Sequence, residues 1–461
     1  MSSSRQRNST GGDLLTEIVR GNVVLVLGHE GILNESVAKG GNVKDRMYRN
    51  FIEFKKELDP DFNVSAKDFD SYFYLLHSDL EELKNDIVES MSMEQMEDSF
   101  DSEDEYSPLL FELLKRKYFR LVLTTTYDYY VEKMLEKVWG QKPRVISIYD
   151  GGKNDIEMPE TDQQEMEPTL YYLFGRAESE KDFVLIENDA IKATEKWFSD
   201  KPQNLLKYLK DKTILALGTK FDDWLFRFFW FILHRDTKAL KRGKVAISLN
   251  PQSETDEKLR RYLDNEKIKH RSMDQTIQMI LDGYAEAESN FLQEHGQQGD
   301  DIFISYHSKD YEMVKHFFFS LDAFVTKENL SARIWFDKVD LIPGDEYRQK
   351  INNAIGKCKV FIPVVTKNVK TILEEKEKTK HFFFDEEWVP AVNRRNMNDS
   401  TAPLHILPIC LDGLEITSVK PTQENYAEVL DQISCVEAGT SKTQIEYDKF
   451  LATIKQIIKQ S

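Results

Sequence analysis

The feature that most constrains this chain is an alternation that runs, stops and starts again. Short apolar stretches rich in β-branched residues recur along it: NVVLVLGHEG (Asn22–Gly31), RLVLTTT (Arg120–Thr126), RVISIYD (Arg144–Asp150), TLYYLFG (Thr169–Gly175), TILALG (Thr213–Gly218) and KVAISL (Lys244–Leu249). Runs this short with no polar alternation suit strands covered on both faces, and helical patterns between them argue for a parallel sheet. In YDYYVEKMLEKVWG, for example, Val131, Met134, Leu135 and Val138 share one helical face and Gly140 stands where a cap is needed.

After the polar, glycine-containing stretch SNFLQEHGQQGD the alternation restarts with DIFISY, RIWFD, KVFIPVV and LHILPICLDG. The helices between these strands place Val314, Phe317, Phe318 and Leu321, then Tyr347, Ile351, Ala354 and Ile355, on apolar faces, and EYDKFLATIKQIIK closes the chain as an amphipathic helix. The expected organisation is a flexible tail over 1–12, one α/β domain over 13–287, a linker over 288–299 and a second α/β domain over 300–461. Pro363 interrupts an otherwise core-like strand and predicts a bulge or a sheet edge there. The acidic loop MEQMEDSFDSEDEY (Met93–Tyr106) reads as solvated or mobile.

Composition narrows the function. A formal net charge of −18 over 461 residues repels phosphate backbones and anionic lipid, so neither nucleic acid nor a membrane surface is the expected partner. The most apolar stretch, Trp224–His234, is too short to span a bilayer and holds Arg227; it reads as a buried helix or a face that another subunit covers. The three cysteines, Cys358, Cys410 and Cys435, are widely spaced and suggest neither a disulfide framework nor a zinc site. Reduced, buried thiols in a cytoplasmic protein are expected.

The second domain resembles TIR domains over essentially its whole length. DIFISYHSKD (Asp301–Asp310) resembles the family's first strand and loop, and IWFDKVDLIPGDEYRQKINNAI (Ile334–Ile355) its second strand, glycine-bearing loop and following helix. KVFIPVVTKNV resembles its third strand, and HFFFDEEWVPAV (His381–Val392) the segment that bears the catalytic glutamate in enzymatic members. The resemblance implies a flavodoxin-like domain that cleaves NAD⁺, taken as substrate with no cofactor and no metal. It implies Glu387 as the catalytic carboxylate, with Phe383 four residues before it and Trp388 directly after it completing the motif and counted among the NAD⁺-binding residues. Tyr306, His307, Asp337, Leu341 and Gly344 follow as binding residues, because they lie in or beside the loops after the first two strands of the domain, where open α/β sheets bind ligands.

More faintly, the first domain resembles sirtuin-like NAD-binding domains of bacterial defence proteins, through VVLVLGHEG, LVLTTTYDYYVEKML, LYYLFGRAESEKDFVLIEND and TILALGTKFDDWLFR. That implies a Rossmann-type parallel sheet. The departures fall on the chemistry. The family's glycine-alanine-glycine turn is here Gly28-His29-Glu30, its asparagine is Thr126, and its catalytic histidine is Phe174, which cannot accept a proton. Together these imply a domain that has lost its own catalysis and serves assembly or sensing.

Cleavage of the nicotinamide–ribose bond passes through an oxocarbenium-like state, as glycoside hydrolysis does. Bound nicotinamide leaves without protonation, so one carboxylate near the ribose suffices. A plainer reading of Asp385-Glu386-Glu387 is an acidic triplet that favours a helix N-terminus, and Glu386 is the neighbouring alternative for the catalytic position. The resemblance further implies activation by self-association through both domains, NAD⁺ depletion in antiphage defence, and room for a trigger ligand or phage protein as partner. A non-enzymatic TIR adaptor is the competing expectation. A first domain that hydrolyses NAD⁺ while the second signals is disfavoured by Phe174.

Overall fold

The computed structural model describes residues 9–34, 43–62, 80–96, 102–157, 167–178, 183–185, 187–210, 212–219, 245–249, 269–296, 301–336, 345–374, 387–397, 403–412, 436–437 and 443–460, together with 257, 261 and 414. The run Trp224–His234 lies outside them. The chain divides into two compact units, Met1–Glu157 with Met166–Tyr284, and Ala285–Ser461, to which Met158–Glu165 is assigned. Both are α/β.

The first unit holds seven strands: β1 (Val23–Leu27), β2 (Leu121–Thr124), β3 (Arg144–Ser147), β4 (Thr169–Tyr172), β5 (Thr213–Leu217), β6 (Val245–Leu249) and β7 (Lys269–Ser272). They form one parallel sheet in the order β3-β4-β2-β1-β5-β6-β7. Every residue of β1, β2, β4 and β5 is buried, as strands with helices on both faces require. Val131, Met134, Leu135 and Val138 enter the core from the helix Tyr130–Trp139, which ends where Gly140, at φ 68°, takes the left-handed conformation and donates its amide to Glu136 O.

The second unit is a six-stranded parallel sheet of β8 (Ile302–Ser305), β9 (Ile334–Trp335), β10 (Val360–Val365), β11 (His405–Ile406), β12 (Ile409–Cys410) and β13 (Val436–Glu437). β11 and β12 lie in line along β10, so the order reads β13-(β12, β11)-β10-β8-β9. This is the flavodoxin-like 2-1-3-4-5 order, with its reversal between β8 and β10. Phe303, Ile351, Ala354, Ile355, Phe361, Trp388 and Ala391 share one core on one side of the sheet. Cys358 and Cys410 are free and buried, and burial pushes the Cys358 thiol up to about 12.

Three expectations change, and the fourth, for the acidic loop, is narrowed, since Glu103 and Asp104 are exposed. Pro363 is in neither an edge strand nor a bulge: β10 is central, and Pro363 sits in register with Ser305 of β8. On its other side the neighbouring strand is broken between Ile406 and Ile409, so the missing N–H falls at a gap in the ladder. The stretch 288–299 is helical as far as Gly296, within the helix Met273–Gly296. Phe291 and Leu292 are buried, Phe291 packs edge-on to Phe318 and Phe319, and Lys315 pairs with Glu288 at 3.0 Å. The first helix begins at Ser9 and takes in Gly11 and Gly12, which were expected in the tail. The acidic loop is anchored at both ends: Met93–Met96 continue the helix Leu80–Met96, and Tyr106 is fully buried and bridged to Leu33.

Candidate functional site

In an open parallel sheet the loops leaving the carboxyl ends of the strands part at the reversal of strand order, and a crevice opens there. In the second unit that point lies between β8 and β10. Ser305, the last residue of β8, is fully buried. A buried hydroxyl needs partners, and Ser305 has two. Its Oγ donates to Glu387 Oε2 at 2.6 Å and accepts from the indole Nε1 of Trp388 at 3.0 Å. Glu387, half-buried, and Trp388, fully buried, form a wide π-type turn running into the helix Val389–Asn396. Such turns recur at functional sites. Pro390 falls in the first helical turn, where no amide donor is required.

That helix is fixed from behind. Ala391 and Val392 enter the core, and Arg394 Nη1 donates to Ile355 O at 2.5 Å, in the last turn of the helix Asp345–Lys357, and to Cys358 O at 2.6 Å, just past its end. The loops are fixed as well. Buried Asp310 accepts from Thr366 Oγ1 at 2.7 Å and Asn368 Nδ2 at 2.6 Å, joining the loop after β8 to the loop after β10. Asp412, just past β12, accepts the amide of Lys367 at 2.6 Å. Three loops are thus stitched together at the carboxyl edge of the sheet. Among the described residues no group of His, Cys, Asp and Glu is arranged to hold a metal.

Tyr306 follows Ser305 directly, but its ring stacks on Phe336 at 5.2 Å, and Phe336 stacks on Phe318 at 4.8 Å. It belongs to the packed rim of the site. His307 is half-buried and its Nδ1 accepts the amide of Lys309 at 3.2 Å. Burial lowers the His307 pKa, with Asp310 opposing the shift and Lys309 adding to it. Asp337, Leu341, Gly344 and Phe383 lie outside the described residues, as does Glu386. Sequence reasoning missed Ser305, Asp310, Thr366 and Asn368. Ser305 left one trace, as a hydroxyl ending a wholly apolar run.

At the carboxyl edge of the first sheet the reversal lies at β1, between β2 and β5. There the amides of Gly28 and Glu30 donate to Leu217 O and Gly218 O, both at 2.9 Å. A Cβ on Gly28 would collide with Gly218, and one on Gly218, whose φ is 65°, would collide with Glu30 O. The buried His29 ring meets Tyr127 edge-on at 6.3 Å, and Tyr127 stacks on Phe183 at 5.0 Å. Thr126 is fully buried and its hydroxyl meets that of Thr124 at 3.0 Å. Phe174 is buried two residues past β4. Lys84 closes the cluster, with Nζ 2.8 Å from Asp189 Oδ2 and donating at 2.8 Å to Phe183 O.

The family model described as a TIR domain matches residues 302–445, from the first residue of β8 into the start of the last helix. One described as a SIR2-like domain matches residues 120–270. The chain joins a SIR2-like domain to a C-terminal TIR domain. The SIR2-like match begins at the edge of β2, so β1 and its glycine turn precede the matched stretch although they lie in the same sheet. Among solved structures, a metazoan TIR-STING receptor from C. gigas in complex with 2′,3′-cGAMP is similar at 18% identity and a TM-score of 0.22, over 35% of this chain. The match spans 40% of that receptor's chain. No curated protein matches the sequence. Within the TIR domain, Glu387 and Trp388 meet Ser305 where the strand order reverses, and Tyr306 and His307 continue the same loop.

Proposed function

We propose that the TIR domain is an NAD⁺ glycohydrolase with Glu387 as its carboxylate. The observation that most supports this is the hydrogen bond from buried Ser305, which holds Glu387 at the strand-order reversal of the sheet. A residue serving only its own helix would not be tied to a strand 82 positions away. Trp388, which holds the N-cap position of that helix, makes no side-chain cap bond.

In the proposed reaction the C–N bond between nicotinamide and C1′ of the ribose breaks, and its electron pair leaves with the ring nitrogen. The bound pyridinium becomes neutral nicotinamide. Positive charge gathers on C1′ and the ring oxygen, where the Glu387 carboxylate stabilises it and orders the ribose hydroxyls. Water adds to C1′ and loses a proton, giving ADP-ribose. Asp310 and Asp412, by fixing the surrounding loops, keep the carboxylate from relaxing as charge develops. The SIR2-like domain, with Phe174 in place of a base, acts in assembly or sensing. Self-association of the chains completes the active state, in the cytoplasm, and NAD⁺ depletion serves antiphage defence. No helix among the described residues is long and apolar enough to cross a membrane.

The test is nicotinamide release by the full-length protein over a range of concentrations. Glu387→Gln, nearly isosteric and uncharged, is expected to lower turnover by about 10²- to 10³-fold with its unfolding transition unchanged, whereas Glu386→Gln retains activity. Loss in Glu386→Gln alone moves the carboxylate by one residue. A wild type inactive at every concentration leaves the adaptor reading.

A further inference from the structure

We propose that Ser305 is a positioning residue for Glu387, and that the indole N–H of Trp388 sets the direction of the hydrogen bond that does it. The inference rests on the reading of Glu387 as the reacting carboxylate, and it concerns how that group is aimed and kept charged.

A serine hydroxyl carries one hydrogen and two lone pairs, and by itself does not fix which way its hydrogen points. At Ser305 the ambiguity is removed. An indole N–H donates and never accepts, so at 3.0 Å from Trp388 Nε1 the Ser305 oxygen must be the acceptor. Its own hydrogen is left to point at Glu387 Oε2, 2.6 Å away, a length in the range of charge-assisted O–H···O⁻ bonds. The relay therefore runs one way, from Trp388 through Ser305 to Glu387.

Two consequences follow. A carboxylate that accepts a donated hydrogen bond is favoured over its protonated form, and the proposed chemistry needs the anion. A protonated Oε2 would offer its hydrogen to an oxygen already holding one from the indole, and would leave the buried serine hydrogen without its acceptor. The clamp also has an unusual economy of parts. Glu387 and Trp388 are consecutive, and the wide turn they form lets both side chains converge on one atom at the end of β8. Since Ser305 and Trp388 are fully buried, water does not reach the bond between them, whereas the bond to half-buried Glu387 is only partly shielded.

The experiment measures kcat and KM for NAD⁺ in the full-length wild type, Ser305→Ala, Trp388→Phe and the double variant, with unfolding temperatures alongside. Ser305→Ala is expected to lower kcat by about 10- to 100-fold, the size of one hydrogen bond to a charged group, with KM within about threefold. Trp388→Phe keeps the aromatic bulk and removes the N–H, and is expected to lower kcat by a smaller factor. The double variant is expected to match Ser305→Ala, because without the hydroxyl the indole has nothing left to orient. If Ser305→Ala does not fold, Ser305→Cys keeps the shape with a weaker donor, and is expected to lower kcat by a smaller factor at unchanged KM. Full kcat in the serine variants while Glu387→Gln is inactive overturns this inference and leaves the glycohydrolase reading intact. Equal losses in kcat and thermal stability that multiply in the double variant overturn it too, as signs of packing alone. A wild type that releases no nicotinamide removes the reading and the inference with it.

Discussion

The two parallel sheets of this chain reverse strand order at comparable places and treat them in opposite ways. At β1 the turn amides of Gly28 and Glu30 are spent on the β5 loop, and His29, Tyr127 and Phe183 pack against one another beyond it. At β8 the end of the strand presents a buried hydroxyl that holds a half-buried carboxylate. A shared architecture supplies the position, and the side chains at the loop ends decide whether chemistry is done there. The first edge is packed and the second is equipped.

Tightening or loosening each edge tests that contrast. The largest expected effect on stability is at Gly218. Alanine there must adopt a left-handed φ and collide with Glu30 O, so Gly218→Ala is expected to destabilise the first unit by about 3 kcal/mol or more, read from the urea midpoint. A midpoint within error of wild type would mean the two loops are not closed on each other. At the second edge, Asp310→Ala leaves the buried hydroxyl of Thr366 and the exposed amide of Asn368 without their acceptor and is expected to cost about 1–3 kcal/mol. It should lower turnover as well, and full activity at reduced stability would separate the loop stitching from the site.

The smallest effect is with pH and falls in the TIR unit. Desolvation lowers the pKa of half-buried His307, against Asp310 and with Lys309, and partial desolvation with Arg395 lowers that of the more exposed His405. Their unfolded values lie near about 6.5, so below that the unfolded chain takes up protons that the folded chain refuses. Stability is whole above that pH, falls as pH drops through it, and levels off once the folded groups titrate. The unfolding temperature is expected to decline between about pH 7.5 and 5.5, and less so in His307→Asn with His405→Asn. An equal decline in the double variant would assign it to other groups.

Much of the fold was legible because covered parallel strands announce themselves as apolar β-branched runs, as in VVLVL, TILAL and VFIPVV. β7 and β13 were not. KHRS is a polar edge strand, and Val436–Glu437 contributes two residues, too few to show a period. The supposed linker misled because Gln, Glu and Gly outnumber the two residues, Phe291 and Leu292, that anchor it. Glu387 and Trp388 were visible through a motif. Ser305 was invisible in that role, since its partners lie more than 80 residues along the chain and only the sheet and the wide turn bring them together.

The central claim is that hydrolysis belongs to the equipped edge and not to the packed one. Nicotinamide release by full-length wild type, Glu387→Gln and Phe174→Ala, each confirmed folded and assayed at a concentration where the wild type is active, tests it directly. The account predicts turnover in the wild type, turnover retained in Phe174→Ala and turnover lost in Glu387→Gln. Loss in Phe174→Ala with full activity in Glu387→Gln would contradict it and assign the chemistry to the SIR2-like domain.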